Sequence, residues 1–379
     1  MKPVFINLLL IILVLNGLCI CGYAQPAGSE PNTLEIGSKA PDFNLQGVDG
    51  KYYSLKDFAG AKVLVVIFSC NHCPTAQAYE ERIMSLAKDY QSKSVRIVMI
   101  SPNSPKAVSL SELGYSDMGD TFDEMKQRAS DKGFNFPYLY DGDEQKASLA
   151  YGPVATPHCF VFDKDRLLCY AGRIDGSEKP GTGKGEDIRN AVDALLGGAP
   201  VKTSVTKVFG CSIKWSWKET SVQKQYKQWA ELPVTLEEID IKGIKDLIKN
   251  STSGKLRLIN IWATWCGPCV TEFPDFVEID RMYRGRAFEF ITISADKMPK
   301  KTEVLNFLRK QQASNRNYIY KNEDIYEMIE AVDPEWRGGL PYTMLIEPGG
   351  KIVYRKQDTI DPAGMKKIIV GNSYIGRYY

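Results

Sequence analysis

Two cysteine pairs in this chain have a spacing that supports redox chemistry. Cys70-Asn71-His72-Cys73 and Cys266-Gly267-Pro268-Cys269 are both C-x-x-C, and each follows an apolar run and precedes a helical pattern. A sulfur at the start of a helix meets unsatisfied amide donors and the positive end of the macrodipole. Both favour the thiolate, the species that attacks a disulfide. A second cysteine one turn further on can resolve the mixed disulfide. This reading makes Cys70 and Cys266 nucleophiles, with Cys73 and Cys269 resolving. Zinc is the rival chemistry, but paired zinc knuckles lie roughly 15 to 20 residues apart, whereas these pairs fall in separate strand-helix units. A permanent structural bridge fits poorly, since so short a loop constrains little.

The chain has only two histidines. His72 lies inside the first pair, where its charged form would stabilise a neighbouring thiolate. His158 follows Pro157, and three readings of it stand. It borders a substrate groove, or with Cys159 and the thiolates it makes a soft metal site suited to copper. In the plainer reading His158 and Cys159 begin a strand and point to opposite faces.

The elements that must position these groups recur in the same order twice. Val63 to Phe68 is a continuous apolar run of buried parallel-strand type. Ala76, Tyr79, Ile83, Leu86 and Tyr90 then recur at helical spacing. A strand over Val95 to Ile100, a helical region over 120 to 132, a hairpin joining Cys159–Phe162 to Leu167–Tyr170, and a helix over Ile188 to Leu196 complete the first half. The second half runs from the strand Leu256–Trp262 through a helix with Phe273, Phe276, Val277 and Tyr283 inside. Then come the strand Phe288–Ser294, a helix over Thr302–Gln311, a hairpin about Pro348-Gly349-Gly350 and a helix over 362 to 370. This predicts α/β architecture with two mixed-sheet domains in tandem. We place them at 33–199 and 233–379, joined by a polar, Lys-rich connector over 200–232.

Residues 1–24 read as a signal peptide. A basic start precedes an apolar stretch too short to span a bilayer, and Cys21-Gly22-Tyr23-Ala24 offers small residues for cleavage after Ala24. The expected location is the periplasm or cell envelope, with the membrane met only through that segment. Lipid attachment at Cys19 or Cys21 fits less well, because Leu18 and Ile20 precede those cysteines. With 48 basic against 46 acidic residues, there is no electrostatic footprint for nucleic acid.

Trp262-Ala263-Thr264-Trp265-Cys266-Gly267-Pro268-Cys269 resembles the thioredoxin active site, and residues 233–379 resemble a TlpA-like thioredoxin domain. The resemblance implies a helix kinked at Pro274 and a cis-Pro341, after Leu340, that shapes substrate docking. Asn260 stands where thioredoxin carries a buried aspartate, so that proton-transfer role does not carry over. The span 295–330 is similar to an insertion typical of the exported branch. Residues 33–217 are similar to the peroxiredoxin-like group of the alkyl hydroperoxide reductase and thiol-specific antioxidant family. The matching motifs are Gly37-Ser38-Lys39-Ala40-Pro41-Asp42-Phe43, Cys70-Asn71-His72-Cys73-Pro74, Ala155-Thr156-Pro157-His158-Cys159-Phe160 and Gly210-Cys211-Ser212-Ile213-Lys214-Trp215. This implies a second cis-proline, Pro157. The Pro-x-x-x-Thr-x-x-Cys signature of peroxide reduction is absent: aligned on Cys73, Val66 and Cys70 stand at its proline and threonine positions.

The resulting expectation is an exported thiol-disulfide oxidoreductase with catalytic residues Cys70, Cys73, Cys266, Cys269, Pro157, Pro341 and His72. No cofactor is expected, and its partners are protein thiols or disulfides and an electron donor. The alternatives are a thiol-dependent peroxidase in the first domain and a copper-binding or metallochaperone module. Gly-Pro between cysteines is typical of reductants near about −270 mV, and histidine before the second cysteine resembles protein disulfide isomerase, nearer −180 mV. On that basis electrons run from Cys266/Cys269 towards Cys70/Cys73. Cys169 reads as a core residue, while Cys211 reads equally as an auxiliary resolving thiol or a buried structural one. Trp215, Trp217, Tyr226 and Trp229 read as connector packing.

Overall fold

A strand that is apolar at every position can meet water on neither face, so Val63–Phe68 belongs inside a sheet with cover on both sides. The computed structural model describes residues 29–376; the signal segment lies outside the described residues. In it, β3 (Val63–Phe68) is buried throughout and is the fifth of seven strands, away from both edges, in the order β2-β1-β5-β4-β3-β6-β7. The other members are β1 (Asn44–Gly47), β2 (Tyr52–Ser54), β4 (Val95–Ser101), β5 (Tyr138–Tyr140), β6 (His158–Phe162) and β7 (Leu168–Gly172). Helices α1 (Pro74–Tyr90), α2 (Phe122–Lys132), α3 (Lys146–Tyr151) and α4 (Glu186–Leu196) accompany them. Val63, Val65 and Ile67 pack with Tyr79, Ile83 and Leu86 of α1. Leu64, Val66 and Phe68 pack on the other face with Tyr151, Phe160 and Phe162. Each such burial contributes about 1.5–3 kcal/mol.

Helix α1 is also held by buried charge. Glu80 takes two hydrogen bonds from Arg128 of α2, both at 2.7 Å, and Arg82 pairs with Asp175 at 2.8 Å. Removing one partner of such a pair costs about 3–5 kcal/mol, so the helix that carries the first cysteine pair is fixed along its length.

The stretch 200–232 is more structured than its composition predicts. Val205 bridges to Ala171 and Cys211 to Thr156, so its first part docks on the first sheet, and its second part is helix α5 (Glu219–Ala230). The aromatic residues form two separate pairs. Trp215 stacks on Trp217 at 5.0 Å, and Tyr226 meets Trp229 edge-on at 5.4 Å.

The second sheet has the order β13-β12-β9-β10-β11-β8. Its strands are β8 (Glu237–Ile239), β9 (Leu256–Trp262), β10 (Phe288–Ser294), β11 (Arg316–Tyr320), β12 (Tyr342–Ile346) and β13 (Ile352–Gln357). Its helices are α6 (Ile241–Lys249), α7 (Gly267–Tyr283), α8 (Lys301–Lys310), α9 (Ile325–Val332) and α10 (Pro362–Gly371). The span 295–330 supplies α8, β11 and the start of α9, extending the sheet beyond β10. The described residues from 31 to 376 belong to one compact unit. The loop between β4 and α2 reaches across it: Val108 and Leu113 join the core around Phe276 and Tyr283, and Tyr283 Oη donates to Ser116 O at 2.8 Å. Both sheets, each flanked by helices, have the thioredoxin-like α/β arrangement.

Candidate functional site

The first pair lies where β3 gives way to α1. Pro74 occupies the first turn of α1, so the residue before it, Cys73, caps the helix, and its Sγ accepts the Ala76 N–H at 3.4 Å. Proline suits this position because its missing N–H would have had no helical partner. The sequence reading put Cys70 at the helix N-terminus; the structure corrects this by one turn, and proline is the reason. Cys70 Sγ instead meets Thr156 Oγ1 at 3.2 Å, while Cys73 Sγ donates to Thr156 O at 3.3 Å. The Thr156–Pro157 bond is cis.

Behind the sulfurs is a buried charge pair. His72 Nδ1 meets Asp120 Oδ2 at 2.6 Å. The other Asp120 oxygen takes the Asn71 and His72 amides at 2.9 and 3.1 Å, and Oδ2 also accepts Asn103 Nδ2 at 2.7 Å. Asn103 Oδ1 in turn accepts the Lys214 amide at 2.9 Å, which ties the tail motif 210–215 into the site. Burial by itself would discharge His72, but the charge and hydrogen bond of Asp120 outweigh it and raise the imidazole's pKa. Burial likewise opposes the Asp120 carboxylate, and the charge and hydrogen bond of His72 hold its pKa below the usual range. Burial also works against a Cys73 thiolate. Hydrogen bonds with Cys211 and Cys70, the charge of His72 and the Ala76 amide overcome it, so Cys73 sits well below the ordinary thiol range. Burial, the bond to Cys73 and the charge of Asp120 push Cys70 up.

Cys70 Sγ, a His72 ring nitrogen and an Asp120 oxygen lie within 4.8 Å of one another, a spacing that a cation could use. Each Asp120 oxygen, however, already accepts two hydrogen bonds, leaving no lone pair for a ligand bond. The His158–Cys159 metal reading also fails on geometry. Cys159 faces the core around Val161 and Tyr170. The His158 ring stacks near Phe160 at 4.5 Å and accepts the Val154 amide at 3.3 Å. Burial lowers its pKa to about 3, so it is a neutral packing residue.

The second pair is arranged differently. Cys266 itself caps α7, its Sγ accepting the Cys269 amide at 3.3 Å, with Pro268 in the first turn. Cys266 and Cys269 form a disulfide with an S–S length of 2.03 Å. Leu340–Pro341 is cis, and Pro274 lies inside α7. Trp265 is 70% exposed beside the pair, whereas Trp262 is buried against Phe273 and Phe307. Asn260 donates to Thr343 Oγ1 at 3.1 Å. A carboxylate is nevertheless present: Glu272, one turn after Cys269 on the same face of α7, is buried and accepts the Ile360 amide at 2.9 Å. Burial raises its pKa to about 7 against the lowering effect of that amide and of Asn260.

The structure therefore gathers Cys70, His72, Cys73 and Pro157 at one site and Cys266, Cys269 and Pro341 at another. Sequence reasoning missed Thr156, Asp120, Asn103 and Glu272. Asp120 stands in the sequence at the start of the helical region 120–132, and nothing local ties it to His72. Glu272 had a visible cue, an acid one turn after the cysteine pair among the inward-facing residues of an active-site helix.

The thiol-disulfide oxidoreductase ResA of Bacillus cereus is 31% identical over 114 residues, a match that takes in 30% of this chain and 61% of that relative. ResA of Geobacillus thermodenitrificans is 27% identical over 158 residues, 41% of this chain and 79% of the relative. Among solved structures, an uncharacterised conserved protein from Geobacillus kaustophilus is 37% identical, with a TM-score of 0.44, and covers 50% of this chain and 96% of its own. The profile of the AhpC/TSA family matches residues 36–171 and again residues 230–355, one match over each cysteine pair. The chain belongs to the AhpC/TSA family.

Proposed function

We propose that this protein is an exported thiol-disulfide oxidoreductase that exchanges disulfides with protein substrates through both C-x-x-C sites. The observation that carries the reading is that each half sets one sulfur at the cap of a helix and its partner sulfur within the same pair, with a cis-proline immediately before the strand that pairs with the first sheet's central β3 and before the strand that pairs with the second sheet's β9. In each site the capping thiolate attacks a substrate disulfide, a mixed disulfide forms, and the second thiol of the pair displaces the substrate as a thiol. Cys266 attacks and Cys269 resolves at the second site. At the first, the cap position makes Cys73 the attacking sulfur and Cys70 the resolving one. His72, held charged by Asp120, stabilises the thiolate that each round restores. Export rests on residues 1–24.

The test is trapping in the full chain with Cys70→Ser, Cys73→Ser and Cys269→Ser. Loss of the resolving thiol holds the partner as a mixed disulfide, so adducts are expected with Cys269→Ser and, at the first site, with Cys70→Ser combined with Cys211→Ser, which also removes the thiol packed beside the pair. No adduct from any variant, together with hydrogen peroxide consumption that depends on Cys73, would replace this reading with a thiol peroxidase.

A further inference from the structure

A third cysteine belongs to the first site. Thr156 is a hub for three cysteines. Its hydroxyl meets Cys70 Sγ at 3.2 Å and its carbonyl accepts from Cys73 Sγ at 3.3 Å. Its backbone exchanges two hydrogen bonds with Cys211, 2.9 Å from Thr156 N and 3.3 Å to Thr156 O. The approach is close enough to dictate the neighbouring residue. A Cβ at Gly210, whose φ is +145°, would fall 2.0 Å from Thr156 O. Only glycine lets the tail pass here, and the consequence is that Cys211 packs on the cluster of Cys70, Cys73 and Ala76. The two thiols are near enough for each to shift the other's titration, Cys73 down and Cys211 up. Cys70 and Cys73 are 3% and 0% exposed, whereas Cys211 is only partly buried. Of the three residues, the one that is partly exposed is the one outside the C-x-x-C pair.

We propose that Cys211 is the third exchanging thiol of this site, alternating with Cys70 as the disulfide partner of Cys73 and presenting the oxidised site to the electron donor. This rests on the exchange reading above. Attack by Cys73 on a substrate disulfide, then by Cys70 on the mixed disulfide, leaves Cys70–Cys73 oxidised and the substrate reduced by two electrons. Cys211, giving up its proton, attacks Cys73 Sγ; the Cys73–Cys211 bond forms, and Cys70 leaves as a thiolate that takes up a proton. No electrons are gained or lost in that step. A donor dithiol then attacks Cys211 Sγ and releases the Cys73 thiolate. The donor's second sulfur frees Cys211, so the donor leaves as a disulfide and the site returns to three thiols.

The experiment is oxidation of the reduced full chain with glutathione disulfide, acid quenching, alkylation and tryptic mass spectrometry. Cys211 falls in the peptide 208–214 and Cys70 and Cys73 in 63–82, so the two disulfides are distinct in mass. The unsubstituted chain is expected to yield both bonds, and Cys70→Ser to yield Cys73–Cys211 as the main product. Cys211→Ser is expected to yield Cys70–Cys73 alone, with re-reduction by dithiothreitol slowed tenfold or more. Cys169 is the internal control: it is also partly buried, its Sγ donates to Leu167 O at 3.4 Å, and it should stay alkylated throughout. Alkylation or glutathionylation of both Cys73 and Cys211 in Cys70→Ser and Cys70→Ala, while the unsubstituted chain still forms Cys70–Cys73, overturns the inference alone. Failure of the unsubstituted chain to form either bond overturns it along with the exchange reading.

Discussion

The two C-x-x-C pairs have the same spacing and follow equivalent strands, yet opposite sulfurs cap the helices. At the second site Pro268 lies between the cysteines, the helix starts at Gly267, and Cys266 is the cap. At the first, Pro74 follows the second cysteine, the helix starts there, and Cys73 is the cap. Proline suits the first turn and is costly further in, so its place biases where the helix begins and therefore which sulfur the helix end activates. Spacing identifies a redox pair; the neighbouring proline identifies its attacking member. The surroundings differ as well. The first pair is sealed against a buried His72–Asp120 charge pair, while the second lies beside an exposed Trp265 and a carboxyl group poised near neutrality.

The largest expected effect breaks the comparison directly. With Cys266 and Cys269 both replaced by serine, Cys73→Ala should slow the first attack on glutathione disulfide by more than about 1000-fold, whereas Cys70→Ala should change it by less than about 10-fold. With Cys70 and Cys73 replaced instead, Cys266→Ala should be the variant that stops the attack. Single-turnover kinetics measure both, and a first site silenced equally by Cys70→Ala would return the nucleophile to the first cysteine.

Next in size is Asp120→Asn, which removes the partner that keeps His72 charged. Burial then dominates, His72 becomes neutral near pH 7, and Cys73 loses a countercharge. Attack by the first site should fall by about 10- to 100-fold at pH 6 and by less at pH 9, while the second site is unaffected. The stability difference from the unsubstituted chain has a defined window. The lowered Asp120 pKa contributes stability that is lost as pH falls below its unfolded value near 4; the raised His72 pKa contributes stability lost as pH rises past about 6.5 and through its folded value. Urea midpoints should therefore differ most between about pH 4 and 6.5, and a gap independent of pH would exclude the charge pair as its source.

Glu272→Gln is expected to act only at the second site. A carboxyl group with a pKa of about 7 can give and take a proton near Cys269 at neutral pH, so the pH profile of second-site turnover should show a limb near 7 that the variant lacks. Turnover at pH 7 should fall by about tenfold. Because its folded pKa is raised, Glu272 weakens the fold as pH rises from about 4.3 to 7; the variant should gain relative stability at pH 8. An unchanged profile would mean that the carboxyl serves packing alone.

Much of this arrangement was legible in the residues. Val63–Phe68 and Leu256–Trp262 are apolar enough to be recognised as central strands, and the cysteine pairs mark their ends. The parts that were not legible depend on long-range partners. Strands as short as Tyr52–Ser54 and Glu237–Ile239 carry too few residues for periodicity and form because a sheet edge is offered to them. Asp120 meets His72 across 48 positions, a contact made by the fold. Cys211 was visible as a cysteine and a motif, but its place against Cys73 depends on Gly210 crossing Thr156. The cap at Cys73 follows from Pro74, a local cue that the spacing of the pair alone does not carry.

The smallest effect separates the two histidines, which sequence puts at one site and the structure puts in opposite protonation states. His158→Leu keeps a side chain of similar bulk and loses the bond to the Val154 amide, a cost of about 1 kcal/mol at pH 8. At lower pH the native histidine becomes a liability. Its pKa is about 3 in the fold and about 6.5 when unfolded, so the unfolded chain takes up a proton first and stability is lost as pH falls from about 6.5 towards 3. At pH 5 that loss is about 2 kcal/mol, larger than the hydrogen bond it offsets, and the leucine variant avoids it. The variant should therefore be the less stable protein at pH 8 and the more stable one at pH 5, with first-site attack unchanged within about twofold. Urea midpoints at the two pH values measure the crossing. A variant that loses exchange activity, or whose stability gap keeps one sign, would show His158 to be charged or engaged at the site and would undo the contrast with His72.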